Sequence, residues 1–269
     1  MAQKPKPLIA CFHGSGSNAT IYEIQCSFLT SLLSDTFSLE FFDGPFPRAA
    51  GPGVLPAFEG YGPYKSWFDP ETNAEDGGGF DEKGSDGISR VWGLMEERLK
   101  QRGGGAEWVG VMGFSQGSRV VGGLLLDQQR RERYKDGPGA AGGIKLKFGV
   151  CCMGGGAPME GEVGFSEFFF EHLFISCMSI YPELTGRGAE LENPDTVVRI
   201  PTLHLHGLKD EFLPLGRDQL AKYYDPETAK LYEINYHHAM PWVKAESKEL
   251  ARLIQELYNK TKTEAEKSA

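Results

Sequence analysis

Glu107-Trp108-Val109-Gly110-Val111-Met112-Gly113-Phe114-Ser115-Gln116-Gly117 is the stretch that decides the fold. Residues 107–112 are short, apolar and β-prone, and Ser118 to Leu126 carry apolar residues at helical spacing. A buried strand therefore hands over to a helix across Gly113-Phe114-Ser115-Gln116-Gly117, a G-x-S-x-G pattern. A serine on so sharp a turn projects its hydroxyl above the sheet edge, and flanking glycines let backbones crowd there. The helix beginning at Gln116 aims free N–H groups and a positive dipole end at the same spot. The five letters alone arise by chance in a chain with 35 glycines, so the strand before and the helix after carry the meaning.

Outward from this elbow, strands and helices alternate. Leu8 to Phe12 reads as a buried strand running into the small-residue loop His13-Gly14-Ser15-Gly16-Ser17, and Asn18 caps a helix through Leu33. Phe37 to Phe42 reads as a second strand. Residues 44–84 form a long aromatic and glycine-rich loop. Ser85 caps a helix to about Gln101 with Ile88, Val91, Trp92, Met95 and Leu99 on one stripe. Beyond the elbow helix, strands are expected at Lys145–Met153, Ile200–His206 and Lys230–Tyr236, and a helix from Trp242 to about Tyr258. Residues 154–195 include an aromatic helical segment, Phe165 to Tyr181, that would cover the site as a cap, and residues 259–269 read as a flexible tail. The pattern predicts a single α/β domain over residues 1–258, a mostly parallel sheet with helices on both faces.

Composition narrows the function. With 269 residues the chain can bury a full-sized core, and 24% charged and 40% hydrophobic residues are ordinary for a globular protein. A net charge of -9 argues against nucleic acid as a partner. The basic run Arg130, Arg131, Arg133 and Lys135 falls at the far end of the elbow helix and reads as a solvated terminus. Five cysteines without framework spacing, no signal peptide and no membrane-length apolar run point to a reducing, cytoplasmic setting. Zinc, calcium and phosphate-loop spacings are absent, so neither metal nor cofactor is expected.

A serine nucleophile needs a base within hydrogen-bond reach, and the base needs an orienting acid. In an open parallel sheet such groups meet just past the carboxyl ends of strands. Ser115, Asp210 and His238 occupy such positions in the chain order Ser, Asp, His, that of α/β-hydrolases. Glu211 is the alternative to Asp210, and His237 competes with His238. His204 and His206 share one face of a strand and read as buried structural residues, while His13 braces its turn. An oxyanion needs two donors: the backbone N–H of Gln116 is one, and Ser15, or failing it Gly16, supplies the other. Tyr61, Tyr64, Trp67 and Phe68 read equally as loop packing or as a substrate wall (Tyr64, Trp67 and Phe68 above all), with Lys65 able to meet an anionic group.

These motifs resemble the FSH-type serine hydrolases, a largely fungal branch of the α/β-hydrolases. The resemblance rests on His13-Gly14 with Asn18, Gly62-Pro63-Tyr64-Lys65-Ser66-Trp67-Phe68, Gly113-Phe114-Ser115-Gln116-Gly117, Gly207-Leu208-Lys209-Asp210 and His238-Ala239-Met240-Pro241, in that order from residue 8 to about 255. In that family the base precedes x-x-Pro, which implies His238. A glycine often stands before it, where this chain has His237. Several members act beside polyketide synthases, so the resemblance implies a thioesterase or esterase whose acyl substrate is presented by an acyl carrier protein.

Overall fold

The computed structural model describes residues 5–69, 87–133, 143–160 and 196–268. Ser85, the Phe165–Tyr181 segment and most of the expected cap lie outside these residues.

In chain order the first elements are β1 (Leu8–Phe12), α1 (Ala19–Gln25), α2 (Ser27–Leu33), β2 (Ser38–Phe42), β3 (Phe46–Pro47), β4 (Lys65–Ser66) and α3 (Gly87–Arg102). They are followed by β5 (Trp108–Phe114), α4 (Gly117–Arg133), β6 (Phe148–Cys152), β7 (Thr202–Gly207), α5 (Leu213–Tyr223), β8 (Ala229–Ile234) and α6 (Lys244–Ser268). Among the described residues, six strands form one sheet in the order β2-β1-β5-β6-β7-β8, every neighbouring pair parallel. β3 and β4 make a separate antiparallel ribbon.

The central strands alternate their side chains between two cores, as a pleated strand must. Ile9 and Cys11 of β1 enter one cluster with Tyr22, Leu29, Leu33, Leu250 and Ile254, the apolar faces of α1, α2 and α6. Leu8, Ala10 and Phe12 enter the other with Ile88, Trp92, Met95, Val121 and Leu124, the faces of α3 and α4. Both faces are covered, which is why β1, β5 and β6 are apolar throughout. The strand order reverses between β1 and β5, and a crevice at such a switch point is where open α/β sheets bind ligands.

Local differences from the sequence reading have local causes. The single helix expected to Leu33 is two, because the backbone turns at Cys26 (φ -92°, ψ 0°). The cap is as expected: Asn18 Oδ1 accepts from the Ile21 N–H at 2.9 Å. No loose tail sets in at Asn259. There α6 continues, with Thr261 buried and its hydroxyl donating to Tyr258 O at 2.7 Å. Arg131 is not solvated either; it lies against Asp127 at 2.8 Å with 9% of its side chain exposed. Asp127 also accepts the Trp92 indole N–H, so this end of α4 is pinned to α3. Among the described residues, no helix is long and apolar enough to cross a membrane.

Candidate active site

The elbow lies where β5 ends. Ser115 has φ +52°, an uncommon left-handed conformation for a serine, and its N–H donates to Cys152 O at 2.9 Å. The turn is tight enough to exclude side chains on both flanks. A Cβ on Gly113 would stand 2.1 Å from Gly117 O, and one on Gly117 would stand 2.1 Å from Phe12 O. The serine itself stays half-buried, above a sheet whose neighbouring residues are fully covered.

The acid and base come from the loops after β7 and β8. Asp210 Oδ2 accepts from His238 Nδ1 at 2.7 Å, and Asp210 Oδ1 accepts from the Phe212 N–H at 2.8 Å. The Asp210 side chain is only 2% exposed, so the bond is shielded from water. A carboxylate can only accept, so His238 Nδ1 carries the proton and Nε2 is left as the basic nitrogen. The His238 ring is held between Phe114 and Phe212, each with a centroid 4.9 Å away, and Phe114 immediately precedes Ser115. His237 is exposed and donates to Lys209 O at 3.1 Å, and Glu211 is exposed where Asp210 is buried. The structure thus brings Asp210 and His238 together, and neither competitor joins them.

The loop after β1 lies against the elbow: a Cβ on Gly14 would come within 3.2 Å of Ser115 Cβ. Among the described residues, the backbone N–H groups of Ser15 and Gln116 donate to no partner. The Gly16 N–H is committed to Lys65 O at 2.8 Å, so the alternative second donor is occupied. His13 braces the loop as expected. The Gly44 N–H donates to His13 Nε2 at 2.9 Å, so Nδ1 holds the proton and donates to Gly14 O at 2.7 Å.

Burial holds the His13 ring neutral down to about 4, and burial with the neighbouring His206 holds His204 neutral down to about 3. Both rings take up a proton near pH 6.5 in the unfolded chain. Acidification from about pH 6.5 to about pH 4 therefore favours unfolding, by on the order of 3 kcal/mol for each ring. Above that window neither ring contributes. Urea unfolding at a series of pH values is expected to show the midpoint falling through it, with a shallower fall in His204→Gln. A flat profile in the wild type would refute the neutral-histidine assignment.

The expected substrate wall is mostly core. Trp67 is 2% exposed and Phe68 is fully buried, both within the cluster under α3 and α4, so neither offers free surface to a ligand. Their aromatic size found apolar contacts and an indole partner inside the fold: Trp67 Nε1 donates to His13 O at 2.9 Å, and Arg119 lies over the Phe68 ring at 4.0 Å. Tyr64 remains half-buried, its hydroxyl donating to Phe58 O at 2.8 Å, and Tyr61 is exposed. Two functions of side chains escaped the sequence. The Gln116 amide binds the elbow to β4, and Asn18 Nδ2 donates to Tyr61 O and Pro63 O. The only signal was residue type, since a glutamine beside a nucleophile and an asparagine at a cap have obvious local duties already.

The family described as "Serine hydrolase (FSH1)" matches residues 1–250. Esterase pigG of Monascus ruber is 32% identical over 238 residues, covering 87% of this chain and 85% of that protein. Esterase citA, also from Monascus ruber, is 30% identical over 265 residues and covers 95% and 93%. Among solved structures, Zea mays acyl-protein thioesterase 2 superposes with a TM-score of 0.52 at 17% identity, covering 95% of each chain. A carboxylesterase from Mesorhizobium loti gives 0.52 at 14% identity over 93% of this chain and 88% of that one. At such low identity these two bear on the fold, which is that of the α/β-hydrolases.

Proposed function

This chain belongs to the serine hydrolase (FSH1) family, and from that premise we propose that it cleaves an acyl thioester or ester through an acyl-serine, releasing a polyketide or fatty acyl chain from a carrier protein. Ser115 Oγ attacks the acyl carbonyl while His238 Nε2 takes its proton. Asp210 keeps the proton on Nδ1 and stabilises the imidazolium that forms. The Ser15 and Gln116 N–H groups hold the oxyanion. The tetrahedral adduct collapses, the carbon–sulfur or carbon–oxygen bond breaks, and His238 returns the proton to the departing thiol or alcohol. Water then repeats the cycle and frees the acid.

The observation that carries this reading is the shielded Asp210–His238 hydrogen bond of 2.7 Å beside a serine held at positive φ. Buried free thiols at Cys11, Cys26, Cys151 and Cys152 support a reducing, cytoplasmic setting. A second reading, a small-molecule carboxylesterase without a carrier partner, is favoured by the esterase names of the relatives.

One rate comparison separates the two. A medium-length acyl group is offered as its N-acetylcysteamine thioester and as the matched oxyester. A clear thioester preference is expected. Equal or faster oxyester turnover would favour the free-ester reading and remove the ground for a carrier protein.

A further inference from the structure

We infer that the Lys65–Trp67 segment is a positioning strap that sets the spacing between the two oxyanion donors, the backbone N–H groups of Ser15 and Gln116. The inference rests on the acyl-serine reading above and assigns a duty to a motif that the triad leaves unexplained.

The two donors sit on different strands' loops. β1 and β5 are paired as far as Phe12 and Gly113. Past that pair, no backbone hydrogen bond joins residues 14–17 to residues 115–117 among the described residues. Something else must keep the loops in register, because an oxyanion hole works only when both donors meet one oxygen at about 3 Å.

The strap reaches both. On the β1 side, the Gly16 N–H donates to Lys65 O at 2.8 Å and the Lys65 N–H donates to Ser17 O at 2.6 Å. The Trp67 indole N–H donates to His13 O at 2.9 Å. These three bonds straddle Ser15. On the β5 side, the Trp67 backbone N–H donates to Gln116 Oε1 at 2.9 Å. That donor fixes the amide's orientation, so Gln116 Nε2 donates to Ser66 Oγ at 3.2 Å, while the Ser66 hydroxyl proton goes to Phe68 O at 2.7 Å.

Trp67 thus holds both loops at once, the β1 loop through its indole and the elbow through its backbone. Its ring is clamped edge-on against Phe12 with centroids 5.3 Å apart. Trp67 ties together two segments that also pack directly, Gly14 against Ser115, and its buried ring has little room to turn. The burial of Trp67 that removes it from the substrate wall is what makes it a rigid spacer.

A spacer acts on the transition state alone, because the substrate carbonyl binds before the oxyanion forms. Gln116→Ala removes the strap's hydrogen bonds to the elbow, and Trp67→Phe removes one of its three to the β1 loop. Each is expected to lower kcat for the N-acetylcysteamine thioester by roughly tenfold to a hundredfold, with KM changed by less than about twofold. Affinity for a trifluoromethyl ketone, whose serine adduct mimics the tetrahedral state, should weaken in step with kcat/KM. Since both variants loosen one strap, the loss in the double variant should fall short of the product of the two single losses. Gln116 is only half-buried, so its truncation leaves the core intact, and thermal midpoints report folding in each case.

Unchanged kcat in the folded variants, with only the midpoint lowered, would reduce the strap to ordinary packing and overturn the inference. A loss carried by KM would overturn it too, and would return Trp67 to substrate binding. Labelling of the wild type by a fluorophosphonate, lost in Ser115→Ala, reads the serine chemistry separately. Failure there sinks the acyl-serine reading, whereas intact labelling with unaffected strap variants sinks only the strap.

Discussion

Ser115→Ala is expected to reduce turnover on the order of a millionfold, leaving only the residual rate that binding and the oxyanion donors supply. The alanine removes the attacking oxygen and nothing else that the site is built on. The Ser115 N–H still donates to Cys152 O, and the Asp210–His238 bond does not involve the serine. KM should therefore stay near the wild-type value while kcat collapses. The backbone at this residue already sits at φ +52°, which alanine bears no better than serine, so the thermal midpoint should move little. Steady-state kinetics on one thioester, beside a melting curve, would check both parts. Turnover surviving in a folded Ser115→Ala would remove the nucleophile from the mechanism.

Asp210→Asn should cost roughly ten-thousandfold in kcat, and the hydrogen bonds around Asp210 give the reason. Oδ1 accepts from the Phe212 N–H, so an asparagine would keep its carbonyl oxygen there. Its NH2 would then take the place of Oδ2 and face His238 Nδ1. A donor on that side forces Nδ1 to accept and moves the ring proton to Nε2, where it blocks uptake of the serine proton. The histidine would sit in the same place, between Phe114 and Phe212, in the wrong tautomer. Substrate binding and fluorophosphonate-independent properties such as the melting point should change little. Near-wild-type turnover in Asp210→Asn would mean that another group orients the base.

The elbow serine and its glycines were legible because strand, turn and helix are contiguous in sequence. The steric demand on Gly113 is local, since a Cβ there would meet Gly117 O, whereas the demand on Gly117 comes from Phe12 O on β1 and shows only in the fold. Asp210 and His238 were legible for a different reason. In a parallel sheet all strand carboxyl ends face one edge, so a residue just past any strand is brought to the same side as the others. The strand pairing bears this out, with β5, β6, β7 and β8 adjacent and in one direction.

Other features depended on contacts that no window contains. Whether His238 or His237 meets the acid turns on which of two adjacent rings faces Asp210 and which faces Lys209 O, 28 residues back in the chain. Ser15 rather than Gly16 keeps a donor uncommitted because Lys65, nearly fifty residues later by the numbering, takes the Gly16 N–H. Trp67 and Phe68 look alike from sequence whether they line a pocket or fill a core, since both environments select the same apolar rings.

The sequence by itself determined the sheet's parallel character, the elbow and the three polar side chains set past strand ends, because each follows from periodicity and short-range sterics. His238 was implied by the family's x-x-Pro spacing and is the ring found on Asp210, but only the tertiary structure decided which N–H groups stay free and which aromatics are buried. Those are outcomes of competition for a partner between residues far apart in the chain, and a hydrogen-bond donor or an apolar ring carries no mark of which competitor will win until the chain is folded around it.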